Sequence, residues 1–382
     1  VTGVFAPLSE SMLADPHAVY ARLRAEDPVH RHDQLGAWVL TRHDDCARVL
    51  KDTDSFGSDP RALGKPIPDT VLSIQTLDPP EHTAIRHLFL DAVRRREVTG
   101  WADGVRRVAR ELLLAEPDGP VDFATGIAEP LALQAVCDLY GVPVPGDHEQ
   151  LRIASRTLVL GMDSGLDPTR RGPSLAARDT LNAMIDRWRA EARPDGVLAR
   201  VPARDRVLRN SLRAVFDAGY STTANLLGNA VEWLLAHGMR TGAELSALDG
   251  RAVEELVRLT GPVQVVSRHC KTDVTLRGKL LRRGDVVITV LAAANRDPEV
   301  FPDPDEACFT RSPNPHLGLG RGTHSCFGGH LGKHVLLALL EAFADVGVIA
   351  PAGAPVRRPT GTQRGLDHLP VHLARCSGGE TQ

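Results

Sequence analysis

Apolar positions along this chain recur mostly at the three-to-four-residue spacing of helices, and only short stretches alternate as strands do. Leu331 to Phe343 repeats apolar residues at Val335, Leu336, Leu339 and Leu340, which predicts a helix packed on that side. Asp15-Pro16 sets a capping side chain before a proline at the first helical position, opening a helix to about Ala25. Residues 44–50, 101–115, 124–140 and 174–192 keep the helical period, and Asp78-Pro79-Pro80-Glu81 starts a further helix. Asp205 to His237 contains no proline and is helix-compatible throughout. At 1.5 Å per residue such a helix is about 50 Å long, enough to cross a domain. Strand patterns fall at 37–41, within 263–289 and within 354–374, with turns at Arg283-Gly284-Asp285 and 351–353. The expected fold is mainly α: a helical domain with a long central helix and small β-sheets. No repeat, low-complexity tract or linker divides residues 1–382, so a single domain is expected.

Hydrophobic residues at 42% and charged residues at 24% place the chain among folded globular proteins. The 45 basic and 48 acidic residues leave a net charge of −3, which argues against a dedicated nucleic-acid binder. Aromatic content of 4% leaves little to stack on single strands. No apolar run nears the ~20 residues that span a bilayer, and Val1 to Ala14 lacks the basic and apolar regions of a signal peptide. Cys46, Cys137, Cys270, Cys308, Cys326 and Cys376 are scattered without framework spacing, which fits a reducing, cytoplasmic location.

The stretch from His316 to Gly328 carries the sharpest chemistry. It places Cys326 at the end of a glycine-punctuated loop, just before the helical run at 331–343. Gly318, Gly320 and Gly322 let backbone bend and approach a flat ligand, since no Cβ intervenes. A cysteine near a helix start faces free N–H groups and the positive dipole end, which favour the thiolate. Such a thiolate in a desolvated loop suits a haem iron.

This chain resembles the cytochrome P-450 family of haem-thiolate monooxygenases, in its soluble bacterial form. The family's loop Phe-Gly-x-Gly-x-His-x-Cys-x-Gly is matched by Leu319 to Gly328, with Leu319 where phenylalanine is usual. Glu255-Leu256-Val257-Arg258 resembles its Glu-x-x-Arg helix, and Asn295-Arg296-Asp297-Pro298 with Phe301 and Pro304-Asp305 resembles its meander. Ala218 to Thr223 sits where the family activates oxygen. Asp78 to Thr83, and Arg364-Gly365 with Leu369-Pro370-Val371, also resemble family segments, and all six blocks occur in family order.

The resemblance implies a P-450 fold with haem b, the thiolate of Cys326 as metal ligand, and Gly320 and Gly328 in the haem loop. It makes Glu255 and Arg258 a structural pair, although charges three apart on a helix are more often solvated. Haem propionates need cations. His82 and Arg86 lie four apart on one helix and can reach one anion together; Arg268 and His324 join them by family position. Gly219 is expected to leave room for dioxygen and Thr222 to act as the catalytic alcohol.

Ser221 stands where the family usually carries an acid, and serine does not ionise near neutral pH. Asp217, one turn earlier, is a candidate proton source through water to Ser221, against a reading as a solvent-facing charge. Walls of the substrate pocket are expected at 56–76, at 217–222, at Val263 and Val266, and at Gln363. The resemblance implies hydroxylation or epoxidation of a small molecule, by family habit a secondary metabolite, free or tethered to a carrier protein. Electrons would come from NAD(P)H through ferredoxin reductase and ferredoxin. A basic patch of Arg321, Lys333 and Arg94-Arg95-Arg96 would steer that partner, the alternative being solvated arginines. Oxidative coupling, desaturation, peroxide-driven oxidation and a non-catalytic haem sensor are the other readings. A zinc site on Cys326, His330 and His334, one helical face, lacks an evident fourth ligand.

Overall fold

A computed structural model of the protein describes residues 5–94 and 98–375. Ten helices of nine residues or more are found among the described residues: α1 His17–Glu26, α2 His43–Lys51, α3 Glu81–Arg94, α4 Val98–Ala115, α5 Glu129–Tyr140, α6 His148–Gly161, α7 Arg171–Arg189, α8 Arg206–Ala236, α9 Gly250–Thr260 and α10 Gly329–Ala342. The long expected helix is therefore real and unbroken. Asp205 caps α8 by accepting from the Leu208 N–H at 2.8 Å, and the His237 N–H closes its far end onto the carbonyls of 233–235.

Helix α8 is buried almost all round because other helices surround it. Leu227, Ala230, Val231 and Leu234 of α8 share one core with Leu131 and Ala135 of α5 and with Leu336, Leu339 and Leu340 of α10. Each leucine fully removed from water there contributes about 1.5–3 kcal/mol. The apolar side expected for residues 331–343 is the side that α10 buries.

The strands form small sheets at the margin of this bundle. The strands are β1 Val29–His32, β2 Ala37–Leu40, β3 Phe56–Gly57, β4 Gly119–Asp122, β5 Val265–Cys270, β6 Val274–Leu276, β7 Lys279–Leu281, β8 Val286–Val290, β9 Val348–Pro351, β10 Val356–Arg357, β11 Leu366–His368 and β12 Pro370–Ala374. One sheet has the order β1-β2-β8-β5-β3, with β2 and β8 parallel and the other pairs antiparallel. A second has the order β4-β12-β9, and β6-β7 and β10-β11 are separate pairs.

The structure departs from the sequence expectation in three places. Helix α6 and strands β1, β3, β4 and β9 were not signalled by the pattern. The helix expected at 124–140 opens with a π turn, Ala124–Ala128, before α5 proper. The helix expected at 174–192 runs three residues earlier, as α7. No helix among the described residues is long and apolar enough to cross a membrane.

Candidate active site

A cavity of about 990 Å³ lies between α8, the loop before α10 and the edge of β5. Cys326 lines it, together with Gly318, Leu319, Gly320, Phe327 and Gly328. The Cys326 N–H donates to Leu319 O at 2.8 Å and the Gly320 N–H to Leu317 O at 2.8 Å, so the loop is folded on itself. Gly320 adopts a left-handed φ of +66°, which a side chain would strain. Gly322, at +70°, does something other than expected: a Cβ there would meet Leu50 O at 2.4 Å. Its missing side chain serves packing against α2 rather than approach to a ligand.

The Cys326 side chain is surrounded by protein and exposed only where it opens onto the cavity. Burial raises its thiol pKa, opposed by the Gly328 and Gly329 N–H groups and by Arg86. The helix-start donors expected to favour the thiolate are present, but burial outweighs them in the protein alone.

A buried network holds the loop from beneath. Arg258 donates to Glu255 through Nε at 2.9 Å and Nη2 at 2.7 Å, and neither side chain has exposed surface. Glu255 also accepts from the Cys308 N–H, Arg311 Nε and Asn314 Nδ2. Arg258 reaches the carbonyls of Asn295, Pro304 and Glu306. The Leu317 N–H then donates to Asn295 Oδ1 at 2.6 Å, tying this network to the first residues of the cysteine loop. Burial raises the Glu255 carboxyl, but these donors outweigh it and hold it below the usual range. The solvated alternative for this pair is wrong. Arg311 and Asn314 were missed in the sequence; their position between the meander and the loop was the available signal.

One rim of the cavity is basic. His82, Arg86, Arg268 and His324 all line it. The His82 and His324 rings lie 4.2 Å apart, and His82 Nδ1 and His324 Nε2 are buried without a hydrogen-bond partner. Burial, with His324 and Arg86 nearby, lowers the His82 pKa to about 4. Arg86 Nη1 donates to Ser325 O at 2.8 Å, and its guanidinium sits 5.5 Å from the Phe327 ring centroid. His324 Nε2 stands 3.7 Å from Asp78 Oδ1, an ion-pair distance rather than a hydrogen bond.

To the same cavity α8 contributes Asp217, Ala218, Gly219, Ser221, Thr222 and Thr223. The Thr222 hydroxyl donates to Ala218 O at 2.6 Å, leaving its oxygen as an acceptor. Ser221 Oγ accepts from Gln363 Nε2 at 3.3 Å. A Cβ on Gly219 would come within 3.1 Å of Val136 Cγ2, so the glycine also lets α5 approach α8. Asp217 is buried, not solvent-facing, and accepts from Ser155 Oγ of α6 at 2.6 Å. Burial raises its pKa to about 6, against the pull of Ser155, Arg213 and Arg358.

The expected pocket walls meet here. Ser58, Ile74, Gln75 and Thr76 line the cavity, as do Val263, Val266 and Gln363, with Val263 and Gln363 paired across a β-bridge. Arg178 and Arg213 line it as well, and nothing in the sequence singled them out.

Two expectations weaken. His330 and His334 are exposed, and no group of three or more metal-binding side chains occurs among the described residues. The proximal patch is smaller than expected: Lys333 is paired with Glu254, and Arg321 Nη2 donates to Pro315 O at 3.0 Å. Arg94 is exposed, while Arg95 and Arg96 lie outside the described residues.

The family model for Cytochrome P450 matches residues 247–343, which span the Glu255–Arg258 helix and the cysteine loop. Over 96% of its length the chain is 32% identical to Cytochrome P450 monooxygenase PikC of Streptomyces venezuelae, covering 93% of that protein. The chain belongs to the cytochrome P-450 family. This P-450 is also 32% identical to 6-deoxyerythronolide B hydroxylase of Saccharopolyspora erythraea, over 96% of the chain and 98% of the relative. Its fold superposes on the polyketide-synthase P-450 PksS of Bacillus subtilis with a TM-score of 0.83 at 27% identity, covering 97% and 100% of the two chains. The P-450 is a monooxygenase, an oxidoreductase that incorporates oxygen from dioxygen, and its family works with a thiolate-ligated haem and redox partners.

Proposed function

We propose that this P-450 hydroxylates or epoxidises a small secondary metabolite in the cytoplasm. Its electrons come from NAD(P)H through a ferredoxin reductase and a ferredoxin. The observation that carries this reading is that Cys326 and Thr222 line one and the same cavity.

The residues present suit haem b. Gly320 and Gly328 line the cavity with Cys326, and a Cβ on Gly328 would meet no protein atom. One on Gly318 would meet Val257 O at 3.0 Å, so Gly318 serves packing on α9. The four basic side chains suit two propionates. His82 Nδ1 and His324 Nε2 make no hydrogen bond within the protein, and each can donate to a propionate in the tautomer that protonates it. Haem held by a thiolate supplies dioxygen binding and cleavage, aided by electron donation from sulfur. Cys326 would hold the iron as a thiolate, since a coordinating thiol loses its proton despite the burial that opposes this in the free protein. Arg86 braces the loop through Ser325 O. Thr222, its own proton committed to Ala218, accepts a hydrogen bond from water and so holds it at the distal wall. Asp217 stores a proton releasable near neutral pH, with Ser221 and Gln363 between it and the Val263 side of the pocket.

Reconstitution with ferredoxin, its reductase, NAD(P)H and labelled dioxygen tests this on ligands chosen by a type-I spectral shift screen. One labelled oxygen per NAD(P)H consumed is expected. Products without label, or formed only with peroxide, would count against it.

A further inference from the structure

The cavity has a second cationic end, away from the haem-side rim. Arg213 lies on α8 nine positions before Thr222, which is about 13 Å along the axis at 1.5 Å per residue. It lines the cavity, and its Nε is buried without a hydrogen-bond partner. Asp217, one turn on, is not in ion-pair contact with it and is held by Ser155 instead. Arg178 of α7 lines the same end, its Nε also buried and unpartnered, with only a 3.4 Å contact from Nη1 to Thr70 O.

Other arginines with an unpartnered Nε are anchored elsewhere: Arg42 by Asp297 and Glu299, Arg296 by Asp305, and Arg189 by Val201 O. Among the described residues Arg213 has no such anchor. Burial lowers its pKa, Arg178 adds to that, and Asp217 opposes. A guanidinium in this state is costly unless an anion meets it, and its planar fork matches carboxylate and phosphate oxygens. Close to Arg213, the chain at 69–74 is tied to α8. Asn210 Nδ2 grips the carbonyls of Asp69 and Leu72, and the Ile74 N–H donates to Ser211 Oγ at 2.9 Å. Apolar side chains of the same cavity include Ile74, Val136 and Leu139.

We infer that Arg213, assisted by Arg178, receives the carboxylate or phosphate head of an otherwise apolar substrate whose reacting carbon lies near Thr222. The position of the reacting end rests on the haem-thiolate reading above; the anion subsite does not.

The test titrates the holoenzyme with dodecanoic acid, dodecyl phosphate and methyl dodecanoate, followed by haem difference spectra and separately by calorimetry. At least one anion should bind about tenfold or more tighter than the ester, the scale of a charge-assisted hydrogen bond. Which anion is preferred tells carboxylate from phosphate. Arg213→Gln should abolish that preference while leaving ester affinity within about twofold, and Arg213→Lys should keep part of it. An ester bound as tightly as both anions, no binding of either anion, or equal weakening of all three ligands by Arg213→Gln would overturn the inference. Should Arg213→Gln fail to fold, Arg213→Lys and Arg178→Gln decide by the same ratio. Calorimetry reads the anion preference even if the carbonyl spectrum refutes thiolate ligation, so the two failures are distinguishable.

Discussion

The Ser155 hydroxyl donates to Asp217 Oδ1 across 2.6 Å, joining α6 to the central helix inside the protein. This bond does not offset the burial of the carboxyl, whose pKa stands at about 6. The folded protein therefore binds the Asp217 proton more tightly than the unfolded chain does. That contribution to stability is present in full below the unfolded pKa of ~3.9 and is lost as pH rises through about 6. Asp217→Asn should raise stability at pH 8 by about 3 kcal/mol and change it little at pH 4. Denaturant unfolding at the two pH values checks this; an equal effect at both would contradict it.

Asp217 and Thr222 should also separate in turnover. Thr222→Ala removes the acceptor at the distal wall and should divert NAD(P)H electrons to peroxide, with product per NAD(P)H falling several-fold. Asp217→Asn should slow product formation and flatten its pH profile around 6. Unchanged coupling and rate in Asp217→Asn, alongside uncoupling in Thr222→Ala, would remove Asp217 from the proton path.

Glu255 answers Arg258 and Arg311 together, in a place with no exposed surface on the first two. Glu255→Ala leaves two buried or nearly buried cations uncompensated. A loss of about 3–5 kcal/mol is expected, with weakened haem retention because the Leu317 end of the cysteine loop hangs from the same network. A loss below about 1 kcal/mol, the scale of a surface pair, would contradict the buried reading.

Ferredoxin steering has its own signature. Electron-transfer rate should fall steeply between ~0.1 M and ~1 M salt, as the Debye length shrinks from ~10 Å to ~3 Å. Lys333→Ala should alter it little, since Glu254 already neutralises that cation and is itself held at about 2 by His316 and Lys333 against burial. A flat salt response would contradict electrostatic docking.

What the sequence revealed and what it hid have physical causes. The loop from Leu319 to Gly328 was legible because iron ligation and tight turns demand particular residues at fixed spacing. The span of α8 was legible because Asp205 caps it and nothing within breaks it. By contrast β1, reading Val-His-Arg-His, has no local strand signal and exists through its register with β2. The burial of Asp217 and the isolation of Arg213 were hidden because a helix enclosed on most sides has no solvent face to betray its polar residues. The role of Gly322 was misread since the loop's partner on that side, α2, lies more than 270 positions away.

Cys326 carries the account, and carbon monoxide reads it directly. The reduced, carbonylated wild-type protein should show the red-shifted Soret band of thiolate ligation, and Cys326→Ala should lose it. A wild type without that band, or a Cys326→Ala variant that keeps it, would contradict the central claim.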